Sequence, residues 1–497
     1  MAFDGNKLRG TIRAERTPAS GAIQLAVLCV AQFVVVLDVT IVTTALPAIR
    51  QALGFTDAQL QWVFTAYALV FGGLLIFGGR VADVAGRRRT FFAGLGLFAV
   101  ASAGCALAWS PATLVGARVL QGAGAALLSP AALALLTTVT EAGKSRRRAV
   151  GWWTAVAATG GASGWVLGGL ISEYVGWRWV FAVNVPITII TFAVAMRTLP
   201  ADRPTSKSRL DVAGALTATL GLGLLVYGLT SAGEHGLDRL LSWLPAILAA
   251  AVLFVIFVRH EGRTTDPLLP LGLLRSRSVV GANLTAVAIT ATTSPAMYLA
   301  VLYVQEVLGV PAGRASLLFP AVNLGVIVGS LQGPWQLGRL GARWTLITGF
   351  GGIALGTTLL LLLPEGGLPV IQLLAAFALM GAGLGAASVA STETGTTAAD
   401  PAYRGVASGV LNSAAQVGTA VGVALLLPLA AAIGFGTMTG YRIGWIGVAA
   451  IALAGAFASL LVPTARSSSR SPQGRNVPAA GDAAPVNNAA SVENRQP

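Results

Sequence analysis

Two residues of this chain could do ionic chemistry in places where ionic groups are costly. Asp38 stands in "VVVLDVTIVTTALP" (residues 34–47) and Arg118 in "LVGARVLQGAGAA" (residues 114–126), both inside long apolar runs. An ionised side chain at the centre of a bilayer costs at least about 2.5–3.5 kcal/mol by insertion scales. An acid kept there needs a partner or a use. A carboxyl group facing a guanidinium has two states, charged and paired or protonated and released, and proton binding biases one against the other. A static ion pair that only fixes packing is the alternative. Gln121 follows Arg118 by one helical turn and shares its face, where it could hydrogen-bond to the pair or to a solute.

The elements that must position these residues are membrane-length helices. The 497 residues are 55% hydrophobic and only 10% charged, with a mean hydropathy of +0.74; a soluble chain carries about 25% charge. Apolar runs of roughly 20 residues lie near 22–46, 60–79, 90–109, 112–138, 150–172, 179–199, 211–232, 241–258, 279–304, 315–335, 344–363, 369–391, 405–433 and 442–463. With the N-terminus inside and every run crossing, most Lys and Arg fall on the cytoplasmic side. Arg50, Arg178, Arg239, Arg314 and Arg442 fall outside, and Arg118 lies within a span. Omitting one helix would flip every later loop and spoil that bias. The charges therefore support fourteen helices with both ends cytoplasmic.

The same rule accounts for the net charge of +14. No basic patch interleaved with aromatics stands on a soluble segment, so no nucleic-acid partner is expected. At 1.5 Å per residue, Asp38 lies about 24 Å from the inner end of helix one, and Arg118 about 9 Å from the outer end of helix four. Across a core roughly 30 Å thick, the acid and the base come out at nearly the same depth.

Residues 1–21 form a polar, basic cytoplasmic tail. The first apolar run is too long for a cleaved signal peptide and should remain as a helix. Residues 464–497 are rich in Ser, Ala, Asn, Pro and Arg, have no apolar face to bury, and read as a disordered cytoplasmic tail. Cys29 and Cys105 fall inside apolar runs and read as packing residues. His235 and His260 read as loop residues without ligand partners, so neither a metal nor a cofactor is expected. Arg far outnumbers Lys, and Ala and Gly abound, the residue bias of a GC-rich bacterial genome.

Four motifs go beyond composition. "GRVADVAGRRR" (79–89) follows the second span; Gly79 can end that helix, Asp83 can cap the next, Gly86 permits a tight turn, and Arg87 and Arg88 stay in cytoplasmic water. "LVGARVLQGAGAA" carries Arg118, Gln121, Gly122, Gly124 and Ala126. "GWWTAVAATGGASGWVLGG" (151–169) places Gly151, Gly160, Gly164, Gly168 and Gly169 on the fifth span. "DPLLPLGLL" (266–274) follows the eighth.

These motifs, in this order, resemble the major facilitator superfamily. With "LDVTIVTTALP" on helix one, they resemble its fourteen-helix drug:proton antiporters. The resemblance covers roughly residues 22–463 and implies an all-α integral membrane fold of two six-helix bundles, each of inverted three-helix repeats. The domains then read as an N-terminal bundle (22–200), two inserted helices (201–262) and a C-terminal bundle (263–463), with the substrate path between the bundles near the midplane. Two departures stand out. Trp165 occupies the position where the helix-five signature has proline, and an indole there narrows the path or faces the substrate. Thr43 stands where the helix-one signature has asparagine. The second half carries only a degenerate loop, "QLGRLGARW" (336–344), without the aspartate.

The resemblance implies a proton-coupled antiporter that exports lipophilic, neutral or monocationic drugs or antibiotics as a monomer across the bacterial cytoplasmic membrane, with the proton gradient as its energy source. Asp38 and Arg118 would carry the proton coupling, and Gln121 and Trp165 would line the substrate path. Gly79, Asp83, Gly86, Arg87 and Arg88 would form the cytoplasmic gating loop. On helix thirteen, Asn412 and Gln416 in "SGVLNSAAQVGTAVG" read either as substrate contacts or as interhelical hydrogen-bonding residues. Glu173, Asp211, Glu306 and Glu393 read as solvated helix ends or caps. An ATP-driven pump is excluded, since "GKS" at 143–145 lacks the upstream glycine of a phosphate-binding loop. An intramembrane enzyme is disfavoured, since no clustered His, Cys or paired acids are present. A proton- or solute-linked importer on the same fold remains the alternative, and the glycine pattern of helix five is what discriminates against it.

Overall fold

The computed structural model describes residues 18–141, 144–200, 210–235, 239–364, 367–398, 404–433 and 438–463. The expectations for most of the N-terminal tail, for the basic segment 201–209 and for the C-terminal tail lie outside these residues.

Among the described residues, fourteen helices are long and apolar enough to cross a membrane. They are α1 (Gly21–Leu53), α2 (Trp62–Ala85), α3 (Arg87–Ala106), α4 (Pro111–Val139), α5 (Arg148–Tyr174), α6 (Arg178–Thr198), α7 (Val212–Ala232), α8 (Leu240–Glu261), α9 (Arg277–Val307), α10 (Ala312–Leu340), α11 (Ala342–Leu361), α12 (Val370–Thr397), α13 (Val406–Ala432) and α14 (Met438–Leu461). The chain is a multi-pass membrane protein. Helices are the local solution because hydrocarbon offers backbone groups no water, so each segment must bond its own. Local signals set the ends. Ser110 caps α4, accepting from the Thr113 amide while the Thr113 hydroxyl accepts from the Ser110 amide, and Pro111 opens that helix.

Two bundles share one packing scheme. α1 lies along α5, and α4 packs with both α2 and α3; equivalently, α9 lies along α13, and α12 packs with both α10 and α11. Small residues make these approaches possible. Gly160, Gly164 and Gly168 form a stripe on α5. A Cβ at Gly160 would lie 2.8 Å from the Phe33 carbonyl oxygen, one at Gly164 would lie 2.9 Å from that of Leu37, and one at Gly168 would overlap that of Ile41. On α13, Gly418 and Gly422 abut α9 at Val287 and Ala291 in the same way. The inserted pair is no detached linker. α7 packs against both α2 and α13, sharing a core of Leu69, Val70, Leu222, Val226, Ala420 and Ala424.

The segment 79–89 folds differently from the expectation. Gly79 does not end α2, which runs through Asp83 to Ala85. Gly86 alone separates α2 from α3, with φ at +100°, a backbone conformation that glycine adopts without steric cost. Asp83 therefore lies inside α2 and is not the N-cap of α3, which is Gly86; it lies 3.7 Å from Arg87 across the junction. A helix outcompetes a loop here because the apolar pattern continues through Val81, Ala82 and Val84. The degenerate second copy has the same construction, with Gly341 at φ +80° between α10 and α11.

Candidate functional site

α1, α3, α4 and α6 each deliver a polar side chain to one point inside the first bundle. Asp38, Arg118, Gln121, Asn184 and Ser102 are all fully buried. Asp38 Oδ2 accepts from Arg118 Nη1 at 2.5 Å. Asp38 Oδ1 accepts from Gln121 Nε2 at 2.7 Å and from Asn184 Nδ2 at 2.8 Å. The acid that looked isolated in the sequence thus has three donors from two other helices, α4 and α6.

Arg118 is held on several sides. Its Nε donates to the Val63 carbonyl of α2 at 2.7 Å, and Nη1 also reaches Gln121 Oε1 at 2.7 Å. The guanidinium lies 4.4 Å from the centre of the Tyr67 ring and 5.9 Å from that of Phe181. These faces suit a cation, since a desolvated cation over an aromatic ring gains about 2 kcal/mol. Gln121 is saturated: Nε2 also donates to Ser102 Oγ at 2.8 Å, and Oε1 accepts from Cys105 at 3.5 Å. Two polar atoms of the cluster, Arg118 Nη2 and Asn184 Oδ1, have no hydrogen-bond partner among the described residues.

The arrangement is a charged pair whose attraction is strengthened by its dry surroundings and whose burial cost is offset by hydrogen bonds on both ions. Asp38 thereby ties α1 to α4 and α6 through three hydrogen bonds. Two adjacent threonines on α1, Thr43 and Thr44, bond back to their own helix at Val39 and Ile41 and do not join the cluster.

The remaining sequence-derived residues lie elsewhere. Trp165 on α5 is buried where the bundles meet. Its ring stacks on Phe319 of α10 at 4.9 Å, and Phe319 stacks on Phe377 of α12 at 5.1 Å. Gln416 packs against Gly72 of α2, also between the bundles. Asn412 is exposed and donates to Ser408 of its own helix at 3.1 Å. Arg87 donates to Thr138 Oγ1 at 2.6 Å, and Arg88 to the Met196 carbonyl at 2.9 Å, tying the start of α3 to α4 and α6. Within the helix-five signature, Gly169 meets Ala312 and Ser316 of α10, whereas Gly151 faces open space.

Two acids expected as solvated helix ends or caps also bridge the bundles, Glu173 while exposed and Glu306 while partly buried. Glu173 at the end of α5 accepts from the Gly313 amide of α10 at 2.5 Å. Glu306, in a π-helical turn that closes α9, pairs with Arg50 of α1 at 2.8 Å, and its neighbour Gln305 donates to the Thr44 carbonyl at 3.1 Å. All three contacts lie toward the Leu53 end of α1. Asp211 is a cap, accepting from the Gly214 amide at 2.8 Å, but a buried one, and it also bonds His260 Nε2 at 2.7 Å. His260 therefore has a partner and sits in the last turn of α8, not in a loop. Glu393 stays exposed near the end of α12.

Sequence reasoning did not single out Asn184, Ser102, Tyr67 or the Val63 carbonyl. The one available signal was Asn184, a polar residue in the apolar run of α6. The others are ordinary helix residues until packing assembles them.

The chain matches the family described as Major Facilitator Superfamily over residues 28–423 and again over 284–490. It is 40% identical to the cephamycin export protein of Amycolatopsis lactamdurans, over 84% of this chain and 87% of that protein. It is 40% identical to a puromycin resistance protein of Streptomyces alboniger, over 81% and 80%. Against the tetracenomycin C resistance and export protein of Streptomyces glaucescens it is 34% identical, over 82% and 77%. Among solved structures, a mutant of the peptide transporter POT in complex with sulfate has a similar fold, with a TM-score of 0.63 at 18% identity over 88% of this chain and 93% of that one. On the family match and this helical architecture, the chain belongs to the major facilitator superfamily: it is a transporter and not an enzyme.

Proposed function

We propose that the chain is a proton-coupled antiporter that exports lipophilic, neutral or monocationic drugs or antibiotics by alternating access. It works as a monomer in the bacterial cytoplasmic membrane, with both ends in the cytoplasm. The single observation that carries the reading is the fully buried Asp38–Arg118 pair with its amide partners. The names of the relatives support export of antibiotics, and the Lys and Arg distribution supports the orientation.

With Asp38 ionised, α1 is tied to α4 and α6 through its carboxylate. A proton entering from the outer side removes the charge and weakens that tie. Arg118 then stays with the Val63 carbonyl and Gln121, so it need not leave the core. The contacts of Glu173, Glu306 and Gln305, with the Trp165–Phe319 stack, close the outer side. When those contacts part, the drug leaves and an outer proton reaches Asp38; the protonated form then favours their re-forming, which links proton entry to drug exit. Trp165, Gln416 and Asn412 line the substrate path. Asp83, Arg87 and Arg88 gate the inner side, where α2, α3, α4 and α6 meet.

Everted membrane vesicles test the proposal. Uptake of a lipophilic monocationic dye should depend on an imposed pH gradient and should collapse when a protonophore dissipates it. Gradient-independent uptake at the full rate would exclude proton coupling.

A further inference from the structure

The two amides on Asp38 are not equivalent. Gln121 uses both ends of its amide: Nε2 on Asp38 and Ser102, Oε1 on Arg118 and Cys105. Turning it over would break all four contacts and aim its Nε2 at the Arg118 guanidinium. Asn184 is different. Its Nδ2 holds Asp38 Oδ1, and its Oδ1, fully buried, has no donor among the described residues. A buried carbonyl oxygen left without a partner costs about 1–3 kcal/mol, and such an atom beside a titratable group asks for a reason.

The reason follows from counting donors and acceptors. An ionised carboxylate only accepts, so Nδ2 must face it. A protonated carboxyl has an O–H that must donate. Around Asp38 Oδ1, Gln121 offers only a donor, and the acceptor within reach is the idle Asn184 Oδ1, brought round by rotating the amide about its last side-chain bond.

α6 is interrupted at Val183, immediately before Asn184, which opens the piece Asn184–Thr198. Pro186 explains the break, because it has no N–H to give and its ring clashes with the carbonyl four residues back, that of Ala182.

We propose that Asn184 reads the protonation state of Asp38: its amide donates to the carboxylate, and turns over to accept from the carboxyl when a proton binds at Oδ1. In that step a hydronium ion from the outer side gives up a proton, its O–H bond breaking as one O–H bond forms on Asp38; the side chain becomes neutral, the oxygen of Asn184 gains a donor, and its Nδ2 gives up the Asp38 acceptor. Asn184 is thus a positioning residue for proton binding, and the signal enters α6 at its interruption. The inference rests on Asp38 as the proton carrier.

Infrared difference spectra of the purified full-length protein, with asparagine labelled by ¹³C at the side-chain carbonyl, test both layers. Acidification should produce a protonated-carboxyl band that is lost in Asp38→Asn. It should also produce a shifted asparagine carbonyl band that is lost in Asn184→Ser. In vesicles, Asn184→Ser should keep gradient-driven efflux with a near-wild-type pH profile, because a hydroxyl can rotate to donate or to accept. Asn184→Leu, which can do neither, should lose it by about tenfold or more while downhill movement persists. A carboxyl band of Asp38 without any Asn184-dependent amide band would overturn this inference alone, as would full pumping by Asn184→Leu. Absence of the Asp38 band would overturn the coupling reading and this inference with it.

Discussion

Asp38 and Arg118 are worth more together than either is alone. Each is fully buried, and each has the other as its only opposite charge in the cluster. Asp38→Asn keeps the shape and removes the titration. Efflux against a gradient should vanish, because protonation no longer distinguishes the conformations, while downhill movement survives. Asp38→Glu should retain partial activity with a shifted pH optimum. Arg118→Gln strands a buried carboxylate and should destabilise the protein by about 3–5 kcal/mol. The double variant should regain expression without regaining pumping. Vesicle efflux with and without a pH gradient, alongside detergent thermal unfolding, reads each of these outcomes. Gradient-driven pumping by Asp38→Asn would reduce the pair to a packing element.

At the scale of elements, the helix-five signature divides into glycines that touch and one that does not. Gly168 lies against the backbone of α1, and its Cβ would overlap the Ile41 carbonyl; Gly151 faces open space. Gly168→Val should therefore force α1 and α5 apart and cost about 1–3 kcal/mol, as overpacked cores do. Gly151→Ala should be neutral or slightly stabilising through helix propensity. Equal effects of the two substitutions on the unfolding temperature would mean that the signature acts through helix flexibility, not close packing. The proline expected at position 165 would have bent α5. The tryptophan found there gives α5 an aromatic ring that reaches Phe319 in the other bundle.

At the scale of the whole molecule, the bundles are joined near one end by Glu173 to Gly313, Glu306 to Arg50 and Gln305 to Thr44. In the proposed alternating access these contacts hold one of the two states. Glu306→Gln weakens a partly exposed pair worth about 1 kcal/mol, roughly a fivefold change in population. Cysteine-labelling rates on the outer faces of α5 and α10 should rise accordingly, and unchanged rates would assign the pair to packing alone. In the proposed reading, a carboxylate already partnered by Arg118 also limits the cargo. A dication would have to give up its hydration without a second carboxylate to replace it. Dicationic dyes should be exported far more weakly than monocationic ones of similar apolar size, and equal efflux would contradict that limit.

The number of spans was legible in the sequence because membrane helices are local. Each satisfies its backbone within its own segment, so hydropathy and loop charge suffice to find it. Asp38, Arg118 and Gln121 were legible for a related reason: polar groups in hydrocarbon are expensive, so each one signals a use. What the sequence could not decide was who meets whom. Asn184 reaches Asp38 across a separation of 146 residues, and Glu173 reaches Gly313 across 140. Both pairings exist only because packing brings helices that are distant in sequence into contact; for α5, the Gly160, Gly164 and Gly168 stripe against α1 is part of that packing. Composition likewise misplaced Gly79 and Asp83 in a loop, since glycine and aspartate favour turns locally, whereas in lipid and protein packing the helix continues until Gly86 turns the chain.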